Sequence, residues 1–306
     1  MYYPEKLKRG ATIGLISTSS PIPEEHVSQC RDVIESLGFK VKMADNLAVS
    51  KGGYMAGEET ARARWVNQMF ADPEVSAIFC VRGGDGGNRI VDMIDLDIIR
   101  ANPKIFVGYS DVTSLHLLFN QQCGLVTFHG PMVFSNMVDR FDEETRTAFF
   151  SCINADETYR YCEPKGLQLG VGRRGQARGP LTGGNLTVMC ASLGTPYEID
   201  VKEKILFIEE IGEHIGSQDR LIYQLRNAGK LAEAAGILLG QFTRCRQDEK
   251  NYDIVNIVQE ATEGMDIPVM YNVQSGHDFP MICLPMGAVC AMDTEKRTVT
   301  FQVKRM

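Results

Sequence analysis

The sequence predicts an α/β protein built on a doubly wound parallel sheet, and three observations lead there. Short apolar runs alternate with helix-patterned segments through the first half of the chain. Two of those runs, Val75–Val81 (VSAIFCV) and Lys104–Tyr109 (KIFVGY), are almost continuously apolar, as strands covered on both faces of a parallel sheet are. Each run ends in glycine or serine where a strand would hand over to a helix. Ligands of such sheets sit beyond the carboxyl ends of the strands, so those junctions are where chemistry is sought.

Thr12–Ser17 is the first strand, followed by a Ser/Pro loop. Glu24–Leu37 places Val27, Cys30, Ile34 and Leu37 at helical spacing, and Gly38 supplies a C-terminal stop. Phe39–Met43 is the next strand, and Thr60–Phe70 reads as a helix burying Trp65, Val66, Met69 and Phe70. Arg89–Ile94 and Asp111–Gln121 read as helices after the two buried runs. Polar, glycine-rich sequence between Glu163 and Gly184 reads as a domain crossing, which divides the chain into 1–165 and 166–306. Beyond it, Ile205–Ile208, Gly236–Phe242 and Pro268–Val273 are strands and Gln218–Ala228 is a helix. Short strands follow, ending in Thr298–Val303. There is no internal repeat and no low-complexity tract.

Composition bounds the class. A chain of 306 residues corresponds to about two domains or one large one. With 44% hydrophobic and 23% charged residues it is neither a disordered chain nor a collagen-like repeat nor a disulfide-stapled miniprotein. A formal charge of −7 argues against a nucleic-acid partner, because phosphate neutralisation needs clustered Lys and Arg. The run Arg173-Arg174 with Arg178 is short, interleaved with glycine, and reads as a solvated loop. Nine cysteines stand singly, without a CxxC pair or a histidine at zinc spacing. No metal is expected, and isolated thiols fit a reducing cytoplasm. Cys80, Cys190 and Cys290 sit in apolar runs as small core residues. Lys6, Lys8 and Arg9 precede an apolar stretch, Ala11–Ile16, too short for a signal segment. No run reaches the ~18 residues of a membrane span. A soluble, cytoplasmic protein is expected.

Three strand ends carry the candidate chemistry. In Val81-Arg82-Gly83-Gly84-Asp85-Gly86-Gly87 the glycines let the backbone turn sharply and offer N–H groups to an anion. The run does not fit G-x-G-x-x-G, so a dinucleotide fingerprint is not supported. In Gly108-Tyr109-Ser110-Asp111 the serine reads either as a plain N-cap or as a nucleophile on a tight turn ahead of a helix N-terminus. The setting is similar to the nucleophile elbow of hydrolases, although Gly-x-Ser-x-Gly is absent. In Phe207-Ile208-Glu209-Glu210 an apolar strand ends in a carboxylate pair, and alternation would bury one and expose the other. A buried carboxylate needs a partner, and a histidine beside a serine would be one.

A serine nucleophile needs a base, usually a histidine oriented by a carboxylate. Of the five histidines, His26 reads as surface, His116 as packing, and His214 lies in a polar loop. His129, in the loop Phe128-His129-Gly130-Pro131, and His277, in Ser275-Gly276-His277-Asp278, both remain open from residue type alone.

Taken together and in order, Tyr54-Met55-Ala56-Gly57, Ala71-Asp72-Pro73, Arg82-Gly83-Gly84, Gly108-Tyr109-Ser110-Asp111, Phe128-His129-Gly130-Pro131, Gly183-Gly184-Asn185-Leu186, Glu209-Glu210 and Gly276-His277 resemble the LD-carboxypeptidases. These are S66-type serine peptidases that recycle murein peptides. The resemblance spans nearly the whole chain. It implies a flavodoxin-like N-terminal domain, a smaller swivelling β/α C-terminal domain, and a homodimer. It places Ser110 on the nucleophile, Glu209 on the carboxylate and His277 on the general base, which moves His129 to a supporting role. The backbone N–H groups of Gly84 and Asp111 fall on the oxyanion hole. Asp85 stands where the family usually has an aromatic residue, so Arg82 and Asp85 become candidates for substrate binding. The Arg82-Gly83-Gly84 form resembles the murein branch more than the relatives that cleave peptidyl-nucleotide antibiotics of the microcin C type.

The expected activity is therefore release of terminal D-alanine from a murein tetrapeptide, without metal or organic cofactor, and with neither nucleic acid nor membrane as partner. Three rivals stand beside it. One is a peptidase acting on aminoacyl-nucleotide conjugates, which a stacking aromatic in the pocket would favour; Trp65, the only tryptophan, reads as core. Another is a nucleotide phosphotransferase suggested by Gly83-Gly84-Asp85-Gly86, which leaves Ser110, Glu209 and His277 unexplained. The third is a catalytically silent binding protein.

Overall fold

A computed structural model describes residues 1–305. Two sheets organise the chain. The first contains β1 (Thr12–Ile16), β2 (Lys40–Met43), β3 (Val75–Cys80), β4 (Ile105–Gly108) and β5 (Thr127–His129), all parallel, in the order β5-β4-β3-β1-β2. The two near-continuous apolar runs are β3 and β4, at the centre of the sheet. Their side chains are almost all buried because helices cover both faces.

The second sheet has eight strands. Its parallel centre is β8 (Gln176–Asn185), β9 (Ile205–Ile211), β10 (Gly236–Thr243) and β11 (Val269–Tyr271). The antiparallel strands β6 (Thr158–Arg160), β7 (Gly170–Arg173), β13 (Val289–Asp293) and β14 (Thr298–Gln302) extend it at both edges. The remaining strand, β12 (Leu284–Met286), returns to the first sheet and pairs antiparallel with β5. Mixed α/β layering with a doubly wound parallel sheet is thus the architecture. The sheets also exchange strands, since β6 precedes the glycine-rich stretch 163–184 yet joins the second sheet, and β12 follows it yet joins the first.

Several local expectations need correction. The glycine-rich stretch 163–184 is not a linker: most of it forms β7 and β8, where glycine allows close approach of neighbouring backbone. Arg173 accordingly lies on β7 and donates to the Thr262 hydroxyl and the Ile267 carbonyl, while Arg174 and Arg178 are exposed. Arg89–Ile94 is not one helix but two 3₁₀ turns, Gly87–Arg89 and Val91–Met93. Trp65 is only half-buried on its helix, Glu59–Ala71, where its indole N–H reaches Asp45 at the surface. No helix among the described residues is long and apolar enough to cross a membrane. Cys80, Cys190 and Cys290 are buried free thiols, as expected of small core residues.

Candidate active site

β4 hands over to its helix through a turn that Ser110 occupies with a left-handed backbone, φ 65°. That conformation costs a non-glycine residue about 1–3 kcal/mol and persists only where the surroundings impose it. The 3₁₀ turn Ser110–Val112 leads into the helix Thr113–Cys123, and the N-cap position is Tyr109, not Ser110. The serine is therefore not the cap. His116, on that helix, folds back beneath the turn: its Nε2 donates to the Gly108 carbonyl at 2.9 Å, and its Nδ1 accepts from the Thr127 hydroxyl at 2.8 Å. Burial pulls its pKa down to about 4, so a neutral imidazole ties β4 to β5 two residues before the serine.

The glycine loop after β3 presses on the same turn. A Cβ on Gly83 would lie 2.8 Å from the Ser110 Cβ. Gly84 has φ 118°, and a Cβ there would meet the Ser20 hydroxyl at 2.0 Å, so only glycine fits. Ser20 cradles the loop: its N–H donates to the Gly83 carbonyl at 3.2 Å and its hydroxyl accepts from the Asp85 N–H at 3.1 Å. Arg62, fully buried, donates to the carbonyls of Thr18 and Gly86 at 2.7 Å each. The Asp111 carboxylate accepts from the Gly87 N–H at 2.7 Å. Burial pushes its pKa up to about 6; the Ser19 hydroxyl and the Gly87 N–H oppose the rise, the Asp85 charge adds to it, and Arg62 counters.

Glu209 and Glu210 end β9, and both are buried, contrary to the expectation that one would face water. Alternation sends them to opposite faces, but helices and loops cover both faces of this sheet. Glu210 is satisfied by the Asn185 side-chain amide at 2.9 Å, the Thr187 N–H and hydroxyl at 2.8 and 2.7 Å, and the Ile211 N–H at 2.8 Å. Glu209 has no accessible surface, and its Oε2 accepts from His277 Nδ1 at 2.7 Å. Its Oε1 finds no protein donor among the described residues. A carboxylate so desolvated depends heavily on that one imidazole N–H. The bond fixes the tautomer: Nδ1 carries the proton and Nε2 presents a lone pair. The Tyr109 ring packs edge-on against His277, with centroids 4.8 Å apart. Gln241 Oε1 accepts from the Asp278 N–H at 2.9 Å and holds the loop.

Ser110 and His277 line one cleft of about 380 Å³ together with Arg82, Gly84, Tyr109 and Arg244. Asp85 is exposed on the loop beside it, and the Asp111 side chain lies behind the turn. Size does not pick the site, since a cavity of about 570 Å³ opens around Glu143, Thr158 and Ile282, away from these groups. His129 is not a loop residue but the last of β5. It is wholly buried, between the rings of Tyr109 at 5.7 Å and Phe207 at 5.2 Å, and neither nitrogen has a hydrogen-bond partner among the described residues. Burial, with some help from His116 and His277, holds its pKa well below the ordinary value. His26 is half-exposed beside Phe134, and His214 accepts from the Gly216 N–H at the start of a helix. Ser20, Tyr109 and Arg244 are site residues that sequence reasoning passed over. Their shared signal is position at the carboxyl ends of β1, β4 and β10, beside the strands already singled out.

The halves meet where β8 ends. Gly184 has φ 134°, and a Cβ there would lie 2.5 Å from the Thr113 hydroxyl; that hydroxyl also accepts from the Asn185 N–H at 3.1 Å. Bare backbone thus lets the second sheet sit against the helix that follows Ser110.

Residues 13–130 match the family model of the LD-carboxypeptidase N-terminal domain, and residues 178–292 that of the C-terminal domain. The chain belongs to the LD-carboxypeptidase family and is a serine carboxypeptidase. A Bacillus subtilis relative, named a probable murein peptide carboxypeptidase, is 37% identical over 98% of this chain and 94% of its own length. The Escherichia coli microcin C7 self-immunity protein MccF is 26% identical over 95% of this chain and 93% of its own. Among solved structures, MccF in complex with aspartyl sulfamoyl adenosine superposes with a TM-score of 0.89 at 24% identity, covering 99% of each chain. The muramoyltetrapeptide carboxypeptidase of Oxalobacter formigenes gives 0.83 at 24%, covering 96% of this chain and 99% of its own.

Proposed function

We propose that the chain hydrolyses the L,D-peptide bond that releases terminal D-alanine from a murein tetrapeptide, through Ser110, His277 and Glu209. One observation carries the reading: His277, held at 2.7 Å by the fully buried Glu209, lines the same cleft as a serine on a strained turn. Ser110 Oγ attacks the scissile carbonyl while His277 Nε2 takes its proton. Glu209 holds the tautomer and stabilises the imidazolium. The N–H groups of Gly84 and Asp111 receive the oxyanion, each donor worth about 2.7–4 kcal/mol in a comparable hydrolase. His277 then protonates the departing D-alanine amine, leaving the tripeptide as an ester on Ser110. Water, deprotonated by His277, attacks that ester and regenerates the hydroxyl. Each step is a proton or acyl transfer that these side chains and water complete among themselves.

Ser110 belongs to the proposed unit 1–165, and Glu209 and His277 to 166–306, so alignment of the two sets the activity. A cytoplasmic homodimer is part of the same reading. The 26% identity to MccF supports a second reading, cleavage of aminoacyl-nucleotide conjugates. The cleft speaks for murein. Its aromatic wall is Tyr109, 4% exposed and already packed on His277 and His129, and Trp65 lies elsewhere, so no free ring is offered to a base.

The test is mass spectrometry of a murein tetrapeptide and, separately, aspartyl sulfamoyl adenosine, each incubated with the protein. Loss of one alanine from the peptide, with the conjugate intact, is expected. Cleavage of the conjugate alone would replace the murein reading with the second.

A further inference from the structure

We infer that Arg244 reads the free α-carboxylate of the substrate's terminal residue, a specificity determinant for the carboxypeptidase reaction; the inference rests on the murein reading above. Arg244 follows β10 directly and lines the cleft that holds Ser110 and His277. Its backbone is left-handed, φ 54°, one of five non-glycine residues at positive φ among the described residues, with Ser110 another. Both of these strained residues line one cleft, and strain of this kind clusters where geometry serves a ligand.

The segment around Arg244 is pinned on both sides. The Gly212 N–H donates to the Thr243 carbonyl at 3.0 Å, the Arg246 N–H to the Glu213 carbonyl at 3.1 Å, and the Ile215 N–H to the Arg246 carbonyl at 2.7 Å. Its backbone is thus anchored to the continuation of β9, the strand that carries Glu209. The guanidinium itself makes no hydrogen bond or ion pair among the described residues. Arg82, the other arginine of the cleft, is by contrast engaged, giving one Nη to the Pro21 carbonyl. Arg244 therefore brings an unengaged planar fork to the wall of the reaction cleft.

A carboxypeptidase must distinguish a chain end from an internal residue, and the chemical mark of the end is a carboxylate. Two parallel N–H donors of a guanidinium match its two oxygens, which lysine cannot do. Arg244 accordingly positions the terminal D-alanine, leaving bond cleavage to Ser110 and His277.

The experiment compares the tetrapeptide with its C-terminal amide, using wild type, Arg244→Gln and Arg244→Lys, after checking that all three unfold at the same temperature. Wild type should cleave the acid with the lower KM. Arg244→Gln should raise KM for the acid about 10- to 100-fold with kcat within about threefold, and leave the amide unchanged. Arg244→Lys should fall between, keeping the charge without the fork. An unchanged KM for the acid in Arg244→Gln would overturn the inference alone, as would equal losses on acid and amide. If wild type cleaves neither compound, the murein reading fails and the inference falls with it.

Discussion

The carboxyl ends of β4 and β9 carry the two halves of the reaction, and they are built in opposite ways. At β4 the parts are mostly neighbours in sequence. Ser110 takes its strained turn between a buried strand and its helix, and His116, eight residues from Gly108, locks the strand end. At β9 the decisive contact is long-range: the buried Glu209 is bonded to His277, 68 residues away. The nucleophile is thus placed by local backbone geometry, and the base by a contact between segments distant in sequence. That difference predicts which perturbations silence the chemistry and which only loosen the fold.

The widest separation should come from the two adjacent glutamates. Glu209→Gln keeps the shape but lets His277 adopt the wrong tautomer, and kcat should fall by about 10³–10⁴ with little change in melting temperature. Glu210→Ala removes the acceptor of four hydrogen bonds without touching the base. It should cost about 2–4 kcal/mol in urea unfolding, while folded enzyme keeps kcat within about tenfold. An exchange of these outcomes would mean that the wrong carboxylate orients the histidine.

Gly184→Ala attacks the contact between the halves. Its methyl would crowd the Thr113 side chain, shifting His277 relative to Ser110, and a displacement of that kind costs about 10² in kcat. Unaltered turnover would show that the base does not depend on this contact.

The smallest effect belongs to the Asp111 carboxylate on the nucleophile's own turn. Its pKa is raised from 3.8 to about 6 in the fold, so its stabilising contribution is complete below about pH 3.8 and lost as pH rises through about 6. The full gap is worth at most about 3 kcal/mol, and about 1–2 is expected after local relaxation. The stability difference between pH 4 and pH 7 should shrink by that amount in Asp111→Asn. An unaltered difference would mean that this carboxyl does not titrate in that window.

The same contrast explains what the sequence could disclose. The apolar runs revealed β3 and β4, because burial on both faces leaves a pattern that needs no partner to be read. The junction at Ser110 was visible for the same reason. The strand content of 163–184 was hidden, because glycine there serves close packing of strands rather than a loop, and composition does not separate the two. Burial of both Glu209 and Glu210 was also hidden: alternation assigns faces, but not what covers them. The choice between His129 and His277 came from resemblance to a family, since only the folded chain puts one beside Glu209 and the other among aromatic rings. Arg244 escaped notice because nothing in its neighbours' composition marks the end of β10 as part of the site.

The most direct measurement is tetrapeptide turnover by wild type and Ser110→Ala, read as loss of one alanine by mass spectrometry without added metal or nucleotide. Wild type should release the alanine, and the variant should be slower by a factor on the order of 10⁴ or more, at unchanged melting temperature. Equal release by both proteins would show that Ser110 is not the nucleophile and would contradict the account at its centre.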